Sequence, residues 1–268
     1  MVTGPRPRLP GPLPGAVGLS HAGAYDWEAA DGVRGGSPHT HLVRTEAYVV
    51  TGGGGAAQTL SPDDYRDICL RPGAVAWFTP GTVHRMVRGG GPRVTVLMRN
   101  SGLPEAGDAA LTFPPEALAD PERYAAAATL PPGTGPRTEA AARRRRDLAV
   151  EGFPGLRETL AAGDAGPCRD FRRAAARPVR AEVPRRRELW RAGAPATAER
   201  TGARLDALET GEPAYLGDAT AYQAAPTRLA GSGMCGHRDE YALPGTTLPY
   251  DGPGEPRPSG RGREPAGP

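Results

Sequence analysis

His39, His41 and Glu46, with His84 further along, constrain this chain more than any other feature, because these residue types at these intervals can close around one divalent metal. Three of the five histidines belong to the set. Residues two apart in a β-strand point to the same face, so a strand through His39 and His41 offers both imidazoles to one ion and turns Thr40 away. Glu46 follows His41 by an odd interval. An unbroken strand would put it on the wrong face, so the spacing predicts a kink near Arg44 or Thr45. His84 comes from a separate segment, in which Pro80-Gly81 supplies a tight turn and a new strand, Val83 to Val87, carries His84 beside Met86.

Three imidazoles and one carboxylate suit divalent Fe, Mn, Ni, Cu or Zn and argue against Ca or Mg, which take oxygen shells. On an octahedral ion four protein ligands leave two positions for water, dioxygen or a chelating substrate. On a tetrahedral zinc the same four would close the site.

The pattern His-x-His-x4-Glu, with Gly53 behind it, and then Gly73, Pro80-Gly81 and His84, resembles the two short motifs of the cupin superfamily. The leading glycine is displaced to Gly32, Gly35 or Gly36. The proline stands directly before Gly81, and Arg88 replaces an expected asparagine four residues after His84. The resemblance implies a mainly β fold, a double-stranded β-helix or jelly-roll barrel with the metal in its mouth, followed here by several short α-helices and disordered termini. Short strand-like runs agree with it: 16–20, 47–50, 75–78, 83–87 and 93–98, separated by the glycine turns at 52–55 and 89–92. The glycine run 52–55 lacks a following Lys-Ser/Thr and reads as a hairpin connection, not a phosphate loop.

The expected organisation is a disordered N-terminal segment (1–14), the barrel (15–115), a linker (116–137), a helical extension (138–225) and an irregular or disordered tail (226–268). With 38 glycines and 31 prolines part of the chain must be irregular. Between residues 138 and 210 apolar residues recur at helical spacing. Pro154, Pro167 and Pro195 stand at first-turn positions of three or four helices, with Gly163 and Gly211 at their ends. The stripe Phe153, Phe171, Val179, Leu189 and Trp190 is expected to pack on the barrel or on a second subunit.

All the positive charge is arginine, and the formal net charge is only +3. The runs Arg143–Arg146 and Arg185–Arg187 therefore read as solvated helix faces and not as a nucleic-acid surface. No stretch approaches a membrane span, and three scattered cysteines (Cys69, Cys168, Cys235) fit a reducing compartment, so a cytoplasmic protein is expected. Cys235-Gly236-His237 is too short a motif to count as a second site.

Strand parity places Tyr48, Val50 and Met86 on the ligand face as pocket wall, with Trp77 or Phe78 closing one side. Arg44 and Arg85 flank the ligands and are candidates to hold a substrate carboxylate. The leading functional expectation is a metal-dependent dioxygenase, an oxidoreductase acting on a small chelating organic substrate, with Glu46 as ligand or, once detached, general base. An isomerase of sugars or polar acids and a non-catalytic ligand-sensing barrel are the alternatives. Uncovered sheet edges suggest a homodimer.

Overall fold

The computed structural model describes residues 12–100, 103 and 108–243. Its β-structure forms two antiparallel sheets. The strands are β1 (Gly18–Gly23), β2 (His39–His41), β3 (Glu46–Gly52), β4 (Gly55–Leu60), β5 (Tyr65–Leu70), β6 (Val75–Phe78), β7 (Val83–Arg88), β8 (Arg93–Met98), β9 (Ala109–Leu111), β10 (Arg228–Ser232) and β11 (His237–Glu240). One sheet has the order β10-β11-β1-β8-β3-β6 and the other β5-β4-β7-β2-β9.

The two sheets differ in which faces are covered. Along β3 and β8 buried and partly exposed residues alternate, so Tyr48, Val50, Val94, Val96 and Met98 point inward and their neighbours outward. Strands β2 and β7 are buried on both faces instead. Their inner face carries the histidines, while Thr40 and Val83 face a second layer.

That second layer is helical: α1 (Pro115–Ala119), α2 (Pro121–Ala128), α3 (Pro136–Ala161), α4 (Gly166–Val179), α5 (Val183–Ala192) and α6 (Ala194–Glu209). Each has a proline in its first turn, where the missing N–H costs nothing. Asp120 caps α2 by accepting from the N–H groups of Glu122 and Arg123. Phe153 of α3 and Phe171 of α4 join Leu60, Val83, Leu111 and Phe113 of the sheet region in one buried cluster. Burying a side chain of this size contributes about 1.5–3 kcal/mol, which is what fixes the helices to the barrel.

Four features depart from the sequence expectations. The segment 116–137, expected as a linker, holds α1 and α2, because their alanine-rich turns bury Leu118, Tyr124 and Ala128. Part of the expected irregular tail, 226–268, supplies β10 and β11, which extend the six-stranded sheet from β1; the remainder from 244 lies outside the described residues, as does most of the segment 1–14. Pro154 does not begin a helix, since α3 runs through it with Phe153 buried on the cluster. The apolar stripe is only partly used: Trp190 is exposed, as are Leu205 and Leu208 on α6.

The arginine run is structural. Arg146 donates to the Trp27 and Glu28 carbonyls at 2.8 and 2.7 Å, Arg145 donates to the Gly233 carbonyl at 2.9 Å, and the Arg143 guanidinium lies 4.1 Å over the Trp27 ring. These contacts tie α3 to the barrel. No helix is long and apolar enough to cross a membrane among the described residues.

Candidate metal centre

The expected kink between His41 and Glu46 is a passage from one sheet to the other. Strand β2 ends at His41, the chain bends through Leu42 and Val43, and β3 begins at Glu46 in the opposite sheet. The Asp108 carboxylate holds the bend by accepting from the N–H groups of Leu42 and Val43 at 3.3 and 3.1 Å. Crossing between the sheets re-aims Glu46 at the histidines. His84 arrives from β7, paired directly with His39 in the five-stranded sheet. Its approach is set by the turn at Thr79–Thr82, where Gly81 takes φ +85° and donates its N–H to the His41 carbonyl at 2.8 Å.

The ligand atoms of His39, His41, Glu46 and His84 all lie within 4.8 Å of one another, and all four side chains are buried. Second contacts fix the imidazole tautomers. His39 donates its Nδ1–H to the Ser37 carbonyl at 2.8 Å, and His84 Nδ1 lies 3.3 Å from the Thr82 carbonyl, so each presents Nε2 to the others. His41 Nε2 is hydrogen-bonded to the Glu46 carboxylate. The buried His84 Nε2 has no hydrogen-bond partner and lies 3.8 Å from Glu46 Oε2. Phe78 stacks on the His84 ring at 4.3 Å and fixes its plane.

Electrostatics suit the same reading. Burial lowers the pKa of His39 well below 6.5, reinforced by His84 and His41. Burial likewise pushes His84 down to about 4 and lowers His41, where the Arg44 guanidinium adds to the effect. Burial alone would raise the Glu46 carboxyl, but His41, then His84 and Arg44, outweigh it and hold the group well below the usual carboxylate range. Three neutral imidazoles and one carboxylate are the protonation states a divalent metal requires of its ligands. The orphaned His84 nitrogen and this donor chemistry fit a transition metal.

The two-sheet antiparallel barrel and the inward His-His-Glu-His set from β2, β3 and β7 are the arrangement that the cupin resemblance implies. The barrel is a cupin-like double-stranded β-helix. No family model and no curated protein sequence matches the chain. Solved structures similar to the barrel include an uncharacterised conserved protein with a double-stranded β-helix domain from Klebsiella pneumoniae, at 14% identity over 31% of this chain and 66% of that one, TM-score 0.26. A sugar 3,4-ketoisomerase from Thermoanaerobacterium thermosaccharolyticum is similar at 16% identity, over 34% of this chain and 64% of that one, TM-score 0.29. A cupin protein from Bacteroides fragilis is similar at 17% identity, over 31% and 60%, TM-score 0.22. The chain spans less than two thirds of each of these chains.

The barrel mouth opens into a cavity of about 120 Å³ lined by His39, His41, Arg44 and Glu46, by Val96 and Met98, and by Arg145 and Cys235. Arg44 is one of the two arginines that flank the ligands, and it faces the site: Nη2 lies 3.0 Å from His41 Nδ1, and Nε lies 3.8 Å from the Asp108 carboxylate. Arg85 does not. It points to the outside of the barrel, where it pairs with Asp31 and donates to the Gly36 carbonyl at 3.1 Å.

The expected pocket wall is placed differently. Trp77 is 66% exposed, because it pairs across the strands with Ala47 on the outer face while Phe78 pairs with Glu46 on the inner one. Tyr48, Val50, Phe78 and Met86 are buried inside the barrel, in one cluster, and do not line the cavity. Parity gives the face of a residue but not its depth along the barrel axis.

Cys235 was the residue sequence reasoning missed. Its sulfur lies 2.8 Å from the Tyr48 hydroxyl and 4.0 Å from both His39 Nε2 and Glu46 Oε1. Burial, with the Glu46 charge adding, pushes the metal-free thiol up to about 12. The available signal was Gly231, Gly233 and Gly236 around Met234-Cys235, glycine spacing that marks a hairpin.

Proposed function

We propose that the protein is a metal-dependent enzyme, an oxygenase, that acts on a small chelating organic acid bound in the barrel mouth. The observation that carries this reading is a buried three-histidine, one-carboxylate set opening directly on a small cavity with an arginine in its wall. A redox-active divalent metal there supplies Lewis acidity and a path for electrons between dioxygen and substrate.

The chain's own residues do the rest. His39, His41 and His84 provide fixed neutral donors whose Nε2 atoms converge. Glu46 is the anionic ligand or, detached from a metal, a general base. Arg44 offers a charge-assisted contact to a substrate carboxylate. Val96, Met98 and Ala22 belong to the apolar part of the wall, which limits water. A space of about 120 Å³ suits a compound of a few heavy atoms and is far below the roughly 300–1,000 Å³ of sites for drug-sized ligands. Size therefore favours a small acid over a nucleotide-linked sugar.

The test is oxygen uptake by protein loaded in turn with Fe, Mn, Ni, Cu or Zn, against a panel of small chelating acids and enols. Uptake with a redox metal, absent in His41→Ala, is the expected result. Turnover without oxygen would move the protein to the isomerases, and saturable binding without turnover would make it a sensing barrel.

The same reading extends to assembly as a homodimer. Strand β6 is an edge of the six-stranded sheet, and it exposes Trp77 and Val75 on its outer face. An unpaired edge beside an exposed tryptophan is a surface that a second copy would cover.

A further inference from the structure

The hairpin between β10 and β11 is clamped at the barrel mouth from several directions. Ser37 donates its N–H to the Met234 carbonyl at 2.7 Å, and Gly233 N–H closes the turn on the Gly236 carbonyl at 2.8 Å. The Gly233 carbonyl accepts from the Tyr25 hydroxyl at 2.8 Å and from Arg145 at 2.9 Å. Gly36 approaches so closely that a Cβ there would meet the Met234 and Cys235 carbonyl oxygens at 2.6 Å. A segment held this firmly presents its side chain in one place.

For Cys235 that place is the metal centre. Its sulfur stands 4.0 Å from His39 Nε2 and 4.0 Å from Glu46 Oε1. Donor atoms that share one ion at ordinary metal–nitrogen and metal–sulfur distances lie about 3 to 4.5 Å apart. A second observation is independent of the thiol: the fully buried His84 Nε2, aimed into the same space, has no hydrogen-bond partner. Buried nitrogens of this kind are satisfied in native proteins, which points to a cation between the side chains.

We propose that Cys235 Sγ is a fifth protein donor to the metal, carried to it by the β10–β11 hairpin and oriented by Tyr48. The inference rests on the metal-centre reading above. On ligation the S–H bond breaks, the metal–sulfur bond forms and the proton leaves to solvent, with no change of oxidation state. The Tyr48 hydroxyl, 2.8 Å from the sulfur, donates to the thiolate and is a positioning residue. On a six-coordinate ion the sulfur would take one of the two positions left by the histidines and Glu46, and a chelating substrate would have to displace it. A soft donor also shifts preference from manganese toward cobalt, copper and zinc.

The test is a cobalt(II) titration of the full-length metal-free protein, followed by absorption. One equivalent is expected to bind with an intense sulfur-to-cobalt charge-transfer band in the near ultraviolet. Cys235→Ser should abolish the band while cobalt still binds, about 10-fold or more weakly, with little change for manganese. Cys69→Ser should keep the band, and Tyr48→Phe should shift it. Stoichiometric cobalt without the band, or a band that survives Cys235→Ser, overturns the assignment and leaves the four-ligand centre standing. Absence of bound cobalt overturns both. The wild-type spectrum decides the matter even if the serine variant fails to fold, and Cys235→Ala provides a second variant.

Discussion

At the scale of single residues, the buried histidines couple the site to pH. His84 titrates near 6.5 in the unfolded chain and at about 4 in the folded protein. Between those values the unfolded chain binds more protons, so the stability from this group is complete above 6.5 and is lost as pH falls toward 4. His39 and His41 shift in the same direction, and the depressed Glu46 adds a further loss below its ordinary value of 4.5. The urea midpoint of metal-free protein should therefore drop steadily from pH 7 to pH 4; a flat midpoint would contradict this description of the cluster.

Arg44 and Arg85 separate function from support. Arg44→Ala should weaken binding of small carboxylic acids about 10-fold or more, because a charge-assisted contact is worth about 1.5–3 kcal/mol, and should also lower stability, because it leaves the buried Asp108 carboxylate without the Arg44 cation. Arg85→Ala should leave binding alone and lower the melting temperature by several degrees, since it strands Asp31 beside the Gly32–Gly36 loop. Isothermal titration and thermal melts on both variants decide between these roles. The convergence of His39, His41, Glu46 and His84 was legible because strand parity and a Pro-Gly turn are local signals. Cys235 was not, because nothing near position 235 says that its hairpin returns to a strand at position 20.

Secondary-structure elements show the same division. Strand β8 coincides with the apolar run 93–98, and β6 and β7 lie where β-branched and aromatic residues alternate between turns. Strand β4, Gly55-Ala56-Ala57-Gln58-Thr59-Leu60, has little strand propensity of its own and forms because β5 and β7 pair with it on both sides. Helices α4 and α6 start near the prolines that marked them, Pro167 and Pro195. Helix α3 overrides Pro154 through tertiary packing. The hairpin that carries Cys235 depends on Gly236, whose φ is +150° and where a Cβ would meet the Gly23 carbonyl oxygen at 2.0 Å. Gly236→Ala should destabilise the protein by about 2 kcal/mol or more, a fall of roughly 4–8 °C in Tm for a chain of this size. An unchanged melting temperature would mean that the hairpin is not held against β1 as described.

For the molecule as a whole, helices cover one sheet of the barrel and leave the other partly open. The β6 edge with Trp77 and Val75, and Leu205 and Leu208 on α6, remain exposed in a single chain. Sedimentation equilibrium at micromolar concentration should give a dimer, and Trp77→Glu should shift it toward monomer. A wild-type monomer at that concentration would refute pairing through this edge. The barrel architecture is what the cupin resemblance implies, but the wrap of the chain is not. Residues 228–240 close the six-stranded sheet against β1, a contact between segments some two hundred residues apart that no local pattern announces.

The central claim is that His39, His41, Glu46 and His84 hold one transition metal. Elemental analysis of protein purified without chelator, beside a His41→Ala control, tests it most directly. The expected result is close to one equivalent of iron, manganese, nickel, copper or zinc per chain, lost in the control. Metal-free wild-type protein that takes up none of these ions, or metal retained by the His41→Ala variant, would contradict it.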